Sequence, residues 1–317
     1  MSGAMREVLT QELIERLRAA GLDPQEVAQI AAAALDEDLA GRADVTTEAT
    51  IAADAEGTGR LTARAAGVAA GLPIAETVFR VAAARAPGPA PGGEHAAQPL
   101  SIYYHAADGD RIRAGDTLLT ITGAVRTLLT AERTALNLAC HLSGIATLTR
   151  RWADEVAGTG ARVRDTRKTL PGLRALQKYS VRCGGGINHR MSLSDAALIK
   201  DNHIVAAGSV SAAFAAISSA AAGLPIEVEC DTLAQVKEAV EAGARLILLD
   251  NFSVADVTAA VALVAGRARL EVSGGLTLAQ ARAVAGTGVD YLAVGALTHS
   301  APALDIALDL APGAGRP

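Results

Sequence analysis

Aromatic residues make up only 3% of this 317-residue chain, so the bulk of any core falls to leucine, valine, isoleucine and abundant alanine. Half of the sequence is hydrophobic, enough for a sizeable core of helices packed on strands. Cysteine is scarce as well. Cys140, Cys183 and Cys230 are odd in number and widely spaced. With no CxxC pair, a zinc cluster or redox motif is excluded, and reduced thiols in a cytoplasmic protein are expected. No apolar run approaches the ~18 residues that span a bilayer. The N-terminal stretch is broken by Arg6, Glu7, Glu12, Glu15 and Arg16, so it lacks the continuous apolar core of a signal peptide. No membrane association is expected.

The chain also lacks the positive charge of a nucleic-acid binder. Its formal net charge is -5, so no nucleic-acid partner is expected. Charge is nonetheless unevenly spread. Between residues 161 and 200 stand Arg162, Arg164, Arg167, Arg174, Arg182 and Arg190 with Lys168, Lys178 and Lys200, opposed only by Asp165 and Asp195. A solvated helix face is the ordinary source of such a run. Here the charges interleave with glycines and a histidine instead of with carboxylates at helical spacing, which points to an anion site.

Along the chain, Leu9, Leu13, Ile14 and Leu17 recur at helical spacing, and Asp23-Pro24 has the form of a helix cap with a first-turn proline. Two short N-terminal helices are predicted. Residues 59–121 consist of short apolar runs broken by glycine, such as 67–73 and 109–116, and read as an antiparallel sheet with tight turns. Within them, residues 86–99 hold four prolines and three glycines and read as an exposed loop. Leu138, Leu142, Ile145, Leu148, Trp152 and Val156 then step by three or four, predicting an amphipathic helix that leads into a second domain.

From Val163 onward, apolar runs of strand type end in a polar residue and a helix follows. The ends are Lys168, Lys200, Glu229, Asp250, Ser273 and Gly295, the last four spaced 21, 23 and 22 residues apart. Thr232-Leu233-Ala234-Gln235 and Thr277-Leu278-Ala279-Gln280 each open a helix in this series. Regular βα units predict parallel strands with helices outside, that is, a barrel whose reactive groups gather at the C-terminal strand ends. Singly, a lysine or aspartate there is an ordinary loop residue. Six polar ends in register share one cavity.

Ser273-Gly274-Gly275 and Gly295-Ala296 close the last two strands, where glycines let backbone N–H groups approach a phosphate. Tight turns alone would also explain them. His299 stands one turn beyond Gly295 as a further donor. Glu229 and Asp250 end successive strands and can hold Mg²⁺, accept ribose hydroxyls, or act as a general acid/base pair. Arg167, Lys168, His189, Arg190 and Lys200 supply the opposite sign. Such a pocket fits substrates rich in carboxylates and phosphates.

Three segments are specific: Thr166-Arg167-Lys168-Thr169, Gly184-Gly185-Gly186-Ile187-Asn188-His189-Arg190 with Leu193-Ser194-Asp195, and Leu198-Ile199-Lys200-Asp201-Asn202-His203. With Glu227-Val228-Glu229, Leu249-Asp250-Asn251, Ser273-Gly274-Gly275 and, upstream, Asp44-Val45-Thr46-Thr47, Gly71-Leu72 and Glu132-Arg133-Thr134-Ala135-Leu136-Asn137, the chain resembles the quinolinate phosphoribosyltransferases from about Asp44 to Asp309. The 86–99 loop looks like an insertion peculiar to this sequence.

The resemblance implies an α/β protein with an N-terminal α/β sandwich over 1–136, an open TIM-like α/β barrel over 137–300, and a C-terminal helix and tail over 301–317. It implies a homodimer or higher homo-oligomer with shared active sites. The implied reaction converts quinolinate and phosphoribosyl pyrophosphate to nicotinate mononucleotide, CO₂ and pyrophosphate in NAD biosynthesis. Arg167, His189, Arg190 and Lys200 would hold quinolinate, with Arg133 supplied by the second subunit and Thr166 in the same binding segment. Lys168 would meet the pyrophosphate. Glu229 and Asp250 would serve ribose and Mg²⁺, directly or through water, and Ser273, Gly274, Gly275, Val294, Gly295, Ala296 and His299 the 5′-phosphate. Lys168, Lys200, Glu229 and Asp250 are the implied catalytic residues.

Three rivals remain. Lys200 at a strand end could form the Schiff base of a class I aldolase. The 109–116 turn looks like a lipoyl or biotinyl carrier hairpin but has no lysine to modify. A nearer alternative keeps the fold and takes nicotinate in place of quinolinate.

Overall fold

A computed structural model describes residues 8–86, 100–221 and 223–312; most of the 86–99 loop therefore lies outside the described residues. The chain divides into two compact units: Met1–Thr147 with Ala175–Cys183 and Ala301–Pro317, and Leu148–Arg174 with Gly184–Ser300.

The first unit opens with helices α1 (Gln11–Ala19), α2 (Pro24–Leu39) and α3 (Val45–Thr50). Their starts are written in the sequence. The Asp23 carboxylate accepts the Gln25 N–H at 2.9 Å with Pro24 in the first turn, and the Asp44 carboxylate accepts the Thr47 N–H at 3.0 Å. Leu13 and Leu17 are the buried face of α1. Strands β1 (Glu56–Ala63) and β2 (Gly67–Val68) follow, then helix α4 (Leu72–Arg85), then β3 (Ser101–Tyr104), β4 (Arg111–Ile112) and β5 (Thr117–Ala124). β5 lies between β1 and β3 and is antiparallel to each, and β2 pairs with β4. The antiparallel sheet expected over 59–121 is thus present but interrupted by α4. α4 begins at Gly71, whose φ of 89° suits glycine, and the Asp108 carboxylate accepts the N–H groups of Gly71 and Leu72 at 2.7 and 3.0 Å.

Helix α5 (Val125–Glu155) is 31 residues long and contains the predicted stripe from Leu138 to Trp152, with Val156 just beyond its end. The boundary between units falls inside it, after Thr147, and not after residue 136. No linker composition marks the change, because one helix runs through it.

The second unit carries β6 (Arg162–Arg164), β7 (Ala197–Ile199), β8 (Ile226–Cys230), β9 (Leu246–Asp250), β10 (Arg269–Ser273) and β11 (Tyr291–Ala293). Between β6 and β7 the chain forms α6 (Arg174–Cys183), most of which belongs to the first unit. After β7 come α7 (Asp201–Ala207) and α8 (Val210–Ala220), and the later strands alternate with α9 (Leu233–Glu241), α10 (Val254–Val264), α11 (Leu278–Ala285) and α12 (Ala296–His299). The strands are parallel in the order β6-β11-β10-β9-β8-β7, and among the described residues β6 and β7 do not pair, so the barrel is open. The two Thr-Leu-Ala-Gln segments open α9 and α11 with capping boxes, in which the Gln235 and Gln280 side chains accept the N–H groups of Thr232 and Thr277.

Among the described residues of the expected C-terminal helix over 301–317, namely 301–312, no helix forms, and 313–317 lie outside the described residues. Residues Ile306–Pro312 are strand β12, paired antiparallel with β1 at the edge of the first unit's sheet. Ile306, Leu308 and Leu310 alternate with Ala307, Asp309 and Ala311, a period of two that fits a strand edge. Among the described residues no single helix is long and apolar enough to cross a membrane.

Candidate active site

Alternation along the barrel strands sets up the site. On β8, Glu227 and Glu229 point to the same side, and on β10 so do Glu271 and Ser273, because side chains two apart share a face. The interior therefore has two polar storeys, a lower one around Glu227 and Glu271 and an upper one at the strand ends.

The upper storey contains the residues predicted from the strand ends. Asp250 pairs in register with Ser273, and Lys200 Nζ donates to Glu229 Oε2 at 2.9 Å. The Asp250 carboxyl is pushed up, first by burial and then by the charges of Glu229 and Asp231, with Lys200 and Lys168 opposing. Glu229, Asp250, Lys168 and Lys200 therefore act on one another across one mouth. Asn251 follows with φ 57°, its N–H bonded to the Ser273 carbonyl at 2.9 Å and its side-chain amide to Asp250 Oδ2 at 2.7 Å. Gly274 has φ 91°, and a Cβ there would lie 2.9 Å from the Asn251 nitrogen, so only glycine fits. Gly275, at φ 58°, faces open space.

At the end of β11, Gly295 brings two predicted groups together: a Cβ there would stand 3.1 Å from Lys168 Cδ and 3.3 Å from His299 Nε2. Lys168 is held by its neighbours. Its N–H donates to Thr166 Oγ1 at 3.0 Å and its carbonyl accepts the Thr298 hydroxyl at 2.8 Å. Val294 is buried and its N–H is committed to the Arg164 carbonyl at 2.9 Å, so the backbone donors nearest the mouth are those of Gly295 and Ala296.

Arg167 and Arg190 lie side by side. Burial, and then the charge of Arg167, lowers the Arg190 guanidinium from its ordinary value. Among the described residues neither arginine forms an ion pair, and the Nε of each is buried without a hydrogen-bond partner. Arg190 is tethered through Nη1 to the Ala196 carbonyl at 2.8 Å. Two half-buried guanidinium groups held in no ion pair among the described residues make a receptor for an anion, although the Glu227 and Asp195 charges also act on Arg190.

His189 directly precedes Arg190 and turns its side chain inward. It is 8% exposed and lies in the lower storey, with Nε2 2.8 Å from Glu227 Oε2 and 3.6 Å from Glu271 Oε1. Its Nδ1 accepts the Arg190 N–H at 2.7 Å, and its own N–H donates to Asp165 Oδ1 at 2.8 Å. The Asn188 side chain also donates to Asp165, and Arg164 is ion-paired with Glu271. Burial first, and the Glu227 charge second, push the Glu271 carboxyl up to about 8. The sequence reading assigned no role to Glu227, Glu271, Arg164 or Asp165. The signal was the two-residue period of Glu227-Val228-Glu229 and Glu271-Val272-Ser273.

Every predicted site residue but one belongs to the second unit. Arg133 lies in the first, exposed on α5.

Comparison with known proteins identifies the family. Residues 44–143 match the family described as quinolinate phosphoribosyl transferase, N-terminal domain, and residues 145–309 match its C-terminal domain. The chain is 52% identical over 284 residues to a Mycobacterium leprae protein named nicotinate-nucleotide pyrophosphorylase [carboxylating], covering 87% of this chain and 94% of the relative. It is 37% identical over 296 residues to quinolinate phosphoribosyltransferase [decarboxylating] 2a, mitochondrial, of Nicotiana tabacum, covering 87% and 80%. The crystal structure of NadC from Streptococcus pyogenes superposes with a TM-score of 0.84 at 40% identity, covering 92% of this chain and 98% of that one. A human nicotinic acid phosphoribosyltransferase structure shares the fold alone, with a TM-score of 0.57 and 14% identity. With both domains matched in order and relatives aligned along nearly their whole length, the chain belongs to the quinolinate phosphoribosyltransferase family.

Proposed function

We propose that this enzyme joins quinolinate to the ribose of phosphoribosyl pyrophosphate, releasing CO₂ and pyrophosphate and forming nicotinate mononucleotide for NAD biosynthesis. The observation that carries the reading is the pair Arg167 and Arg190, neither of them ion-paired, set in the same barrel as the strand-end carboxylates Glu229 and Asp250. A dicarboxylate suits two guanidinium forks, and a phosphorylated sugar suits carboxylates flanked by lysines and glycine turns.

In this reading Arg167, Arg190 and Lys200 hold quinolinate, with Arg133 entering from a second subunit of a homodimer. Thr166 fixes the turn that presents Lys168 to the pyrophosphate. Ser273, Gly274, Gly275, Gly295, Ala296 and His299 surround the 5′-phosphate, with Val294 anchoring their strand. The pyridine nitrogen attacks C1 of ribose as the C1–oxygen bond to pyrophosphate breaks. Lys168 neutralises the charge developing on the leaving group, and Glu229 and Asp250 orient the ribose hydroxyls. The electron pair of the bond to the adjacent carboxylate then stays on the ring carbon as CO₂ departs, stabilised by the neighbouring quaternary nitrogen, and a proton takes up that pair. No protein nucleophile is required, which separates this reading from a Schiff-base role for Lys200.

Glu229 and Asp250 also fit Mg²⁺. They are oxygen donors, the Asp250 carboxyl being pushed up first by burial and then by the Glu229 charge, and the nearby Cys230 thiol is buried and pushed up to about 12, so it does not compete as a soft ligand. Bound there or through water, Mg²⁺ would neutralise the pyrophosphate. The free thiols of Cys140, Cys183 and Cys230 and the small anionic substrates suit a cytoplasmic enzyme. Nicotinate is the second reading; it has one carboxylate for the two guanidinium groups. Parallel assays with quinolinate and nicotinate test the choice: turnover of quinolinate alone supports the proposal, and preference for nicotinate overturns it.

A further inference from the structure

The lower storey beneath the anion receptor holds a chain of contacts that the reaction scheme does not use. Glu227 is 3% exposed and its Oε2 meets His189 Nε2 at 2.8 Å. His189 Nδ1 in turn accepts the backbone N–H of Arg190 at 2.7 Å. An amide N–H cannot donate to a nitrogen that already bears hydrogen, so the ring proton sits on Nε2 and points at Glu227. The surroundings reinforce this. Glu271 lies 3.6 Å from the same Nε2, while its other oxygen is bound by Arg164. Glu227 Oε1 and Glu271 Oε1 are buried with no hydrogen-bond partner among the described residues, and the Glu227 carboxylate is the nearer acceptor for Nε2. The backbone on the other side is fixed too: Asp165 holds the His189 N–H at 2.8 Å, and residues 185–189 lie against β6 through the Arg164–Ile187 bridge.

We propose that Glu227 is a positioning residue for the pyridine substrate: by accepting the Nε2–H of His189 it keeps Nδ1 turned to the Arg190 backbone, and so sets where Arg190 presents its guanidinium. His189 then acts through Arg190, as the middle link of a Glu227–His189–Arg190 chain. A ring without Glu227 could turn over or move its proton to Nδ1, and either change would break the bond to Arg190 N–H. This rests on the assignment of Arg190 to quinolinate, but its first test does not.

That test is long-range proton–nitrogen NMR on the intact protein labelled at histidine nitrogens, with His189 assigned through the backbone. The expected spectrum shows hydrogen on Nε2 and none on Nδ1. A proton on Nδ1 would overturn the proposal whatever the substrate proves to be. The second test is kinetic. Glu227→Leu removes the acceptor and should raise the quinolinate KM roughly 5- to 100-fold, the cost of one unmade buried hydrogen bond, with the phosphoribosyl pyrophosphate KM changed much less. Glu227→Gln keeps an acceptor oxygen and should recover most of the loss. Equal shifts in both KM values, or no recovery in Glu227→Gln, would reduce Glu227 to a packing role. If Glu227→Leu does not fold, the wild-type spectrum and Glu227→Gln still decide.

Discussion

Lys200 and Glu229 meet at 2.9 Å across the ends of β7 and β8, with the lysine about half exposed at 47% and the carboxylate 14% exposed. The pair is poised at the mouth, where an incoming carboxylate can take the ammonium from Glu229. Lys200→Ala should therefore raise the quinolinate KM or abolish turnover without unfolding the barrel, and Arg167→Ala should do the same. Where the bound substrate desolvates the charge pair, removing one partner costs ~2–5 kcal/mol, or roughly 30- to 5,000-fold in kcat/KM, and half-exposed Lys200 should fall toward the lower end. Steady-state kinetics of both variants, with circular dichroism as the control for folding, check this. Near-wild-type kinetics would remove both residues from the site.

Glycine is required at one of the two adjacent turn positions after β10 for a contact reason and at the other only for its φ. Gly274→Ala would drive a methyl group against Asn251 and, through its bond to Asp250, disturb the ribose site. Gly275→Ala meets nothing and carries only the left-handed strain, about 1 kcal/mol. The expected outcome is a large rise in the phosphoribosyl pyrophosphate KM for Gly274→Ala and a small one for Gly275→Ala. Equal effects would show that the Asn251 contact is irrelevant.

Activity should require a divalent cation, with Mg²⁺ sufficient, because Glu229 and Asp250 offer oxygen and no thiolate stands near them. Exhaustive chelation should abolish turnover and Mg²⁺ restore it. Glu229→Gln and Asp250→Asn should need more metal for the same rate. Full activity after chelation would contradict the assignment.

Stability should carry the signature of Glu271. Folding raises its carboxyl from 4.5 to about 8, so the folded state binds this proton more tightly than the unfolded chain. The resulting stabilisation is complete below 4.5 and is lost as pH rises through about 8. Wild-type Tm should fall over that window. In Glu271→Gln the fall should flatten, since the amide does not titrate. Parallel pH dependence of Tm in the two proteins would remove Glu271 as its source.

Arg133 is exposed on α5 in the first unit, away in sequence from the barrel segments that supply the other proposed ligands. If it serves a second subunit, mixing inactive Arg133→Ala with inactive Lys200→Ala should restore activity. A mixed dimer would then hold one site with both lesions and one with neither. Persistent inactivity despite proven subunit exchange would place Arg133 in its own subunit's site.

The barrel and its mouth were legible because each signal was local. Strands ending at Glu229, Asp250 and Ser273 recur at near-constant spacing, and their polar ends are forced to one side by parallel pairing. Other features were hidden for identifiable reasons. α4 is buried nearly all round, from Leu72 through Phe79, so it shows no amphipathic stripe against which a helical period stands out. β12 is an edge partner for β1 more than 240 residues earlier, as the register of Ala63 with Ile306 shows, and no local pattern announces such pairing. The lower storey is a tertiary product. Glu227 and His189 are distant in sequence, and only the curvature of the open sheet brings them to 2.8 Å. The sequence placed His189 among the quinolinate ligands, and the structure sets its buried ring between Glu227 and the Arg190 backbone.

The most direct measurement is the stoichiometry of a single reaction mixture containing the enzyme, Mg²⁺, phosphoribosyl pyrophosphate and quinolinate labelled in the carboxylate next to nitrogen. The account predicts that labelled CO₂, nicotinate mononucleotide and pyrophosphate appear in equal amounts, each matching the quinolinate consumed. Nucleotide that retains the label, or no nucleotide at all under conditions where the protein is folded, would contradict it.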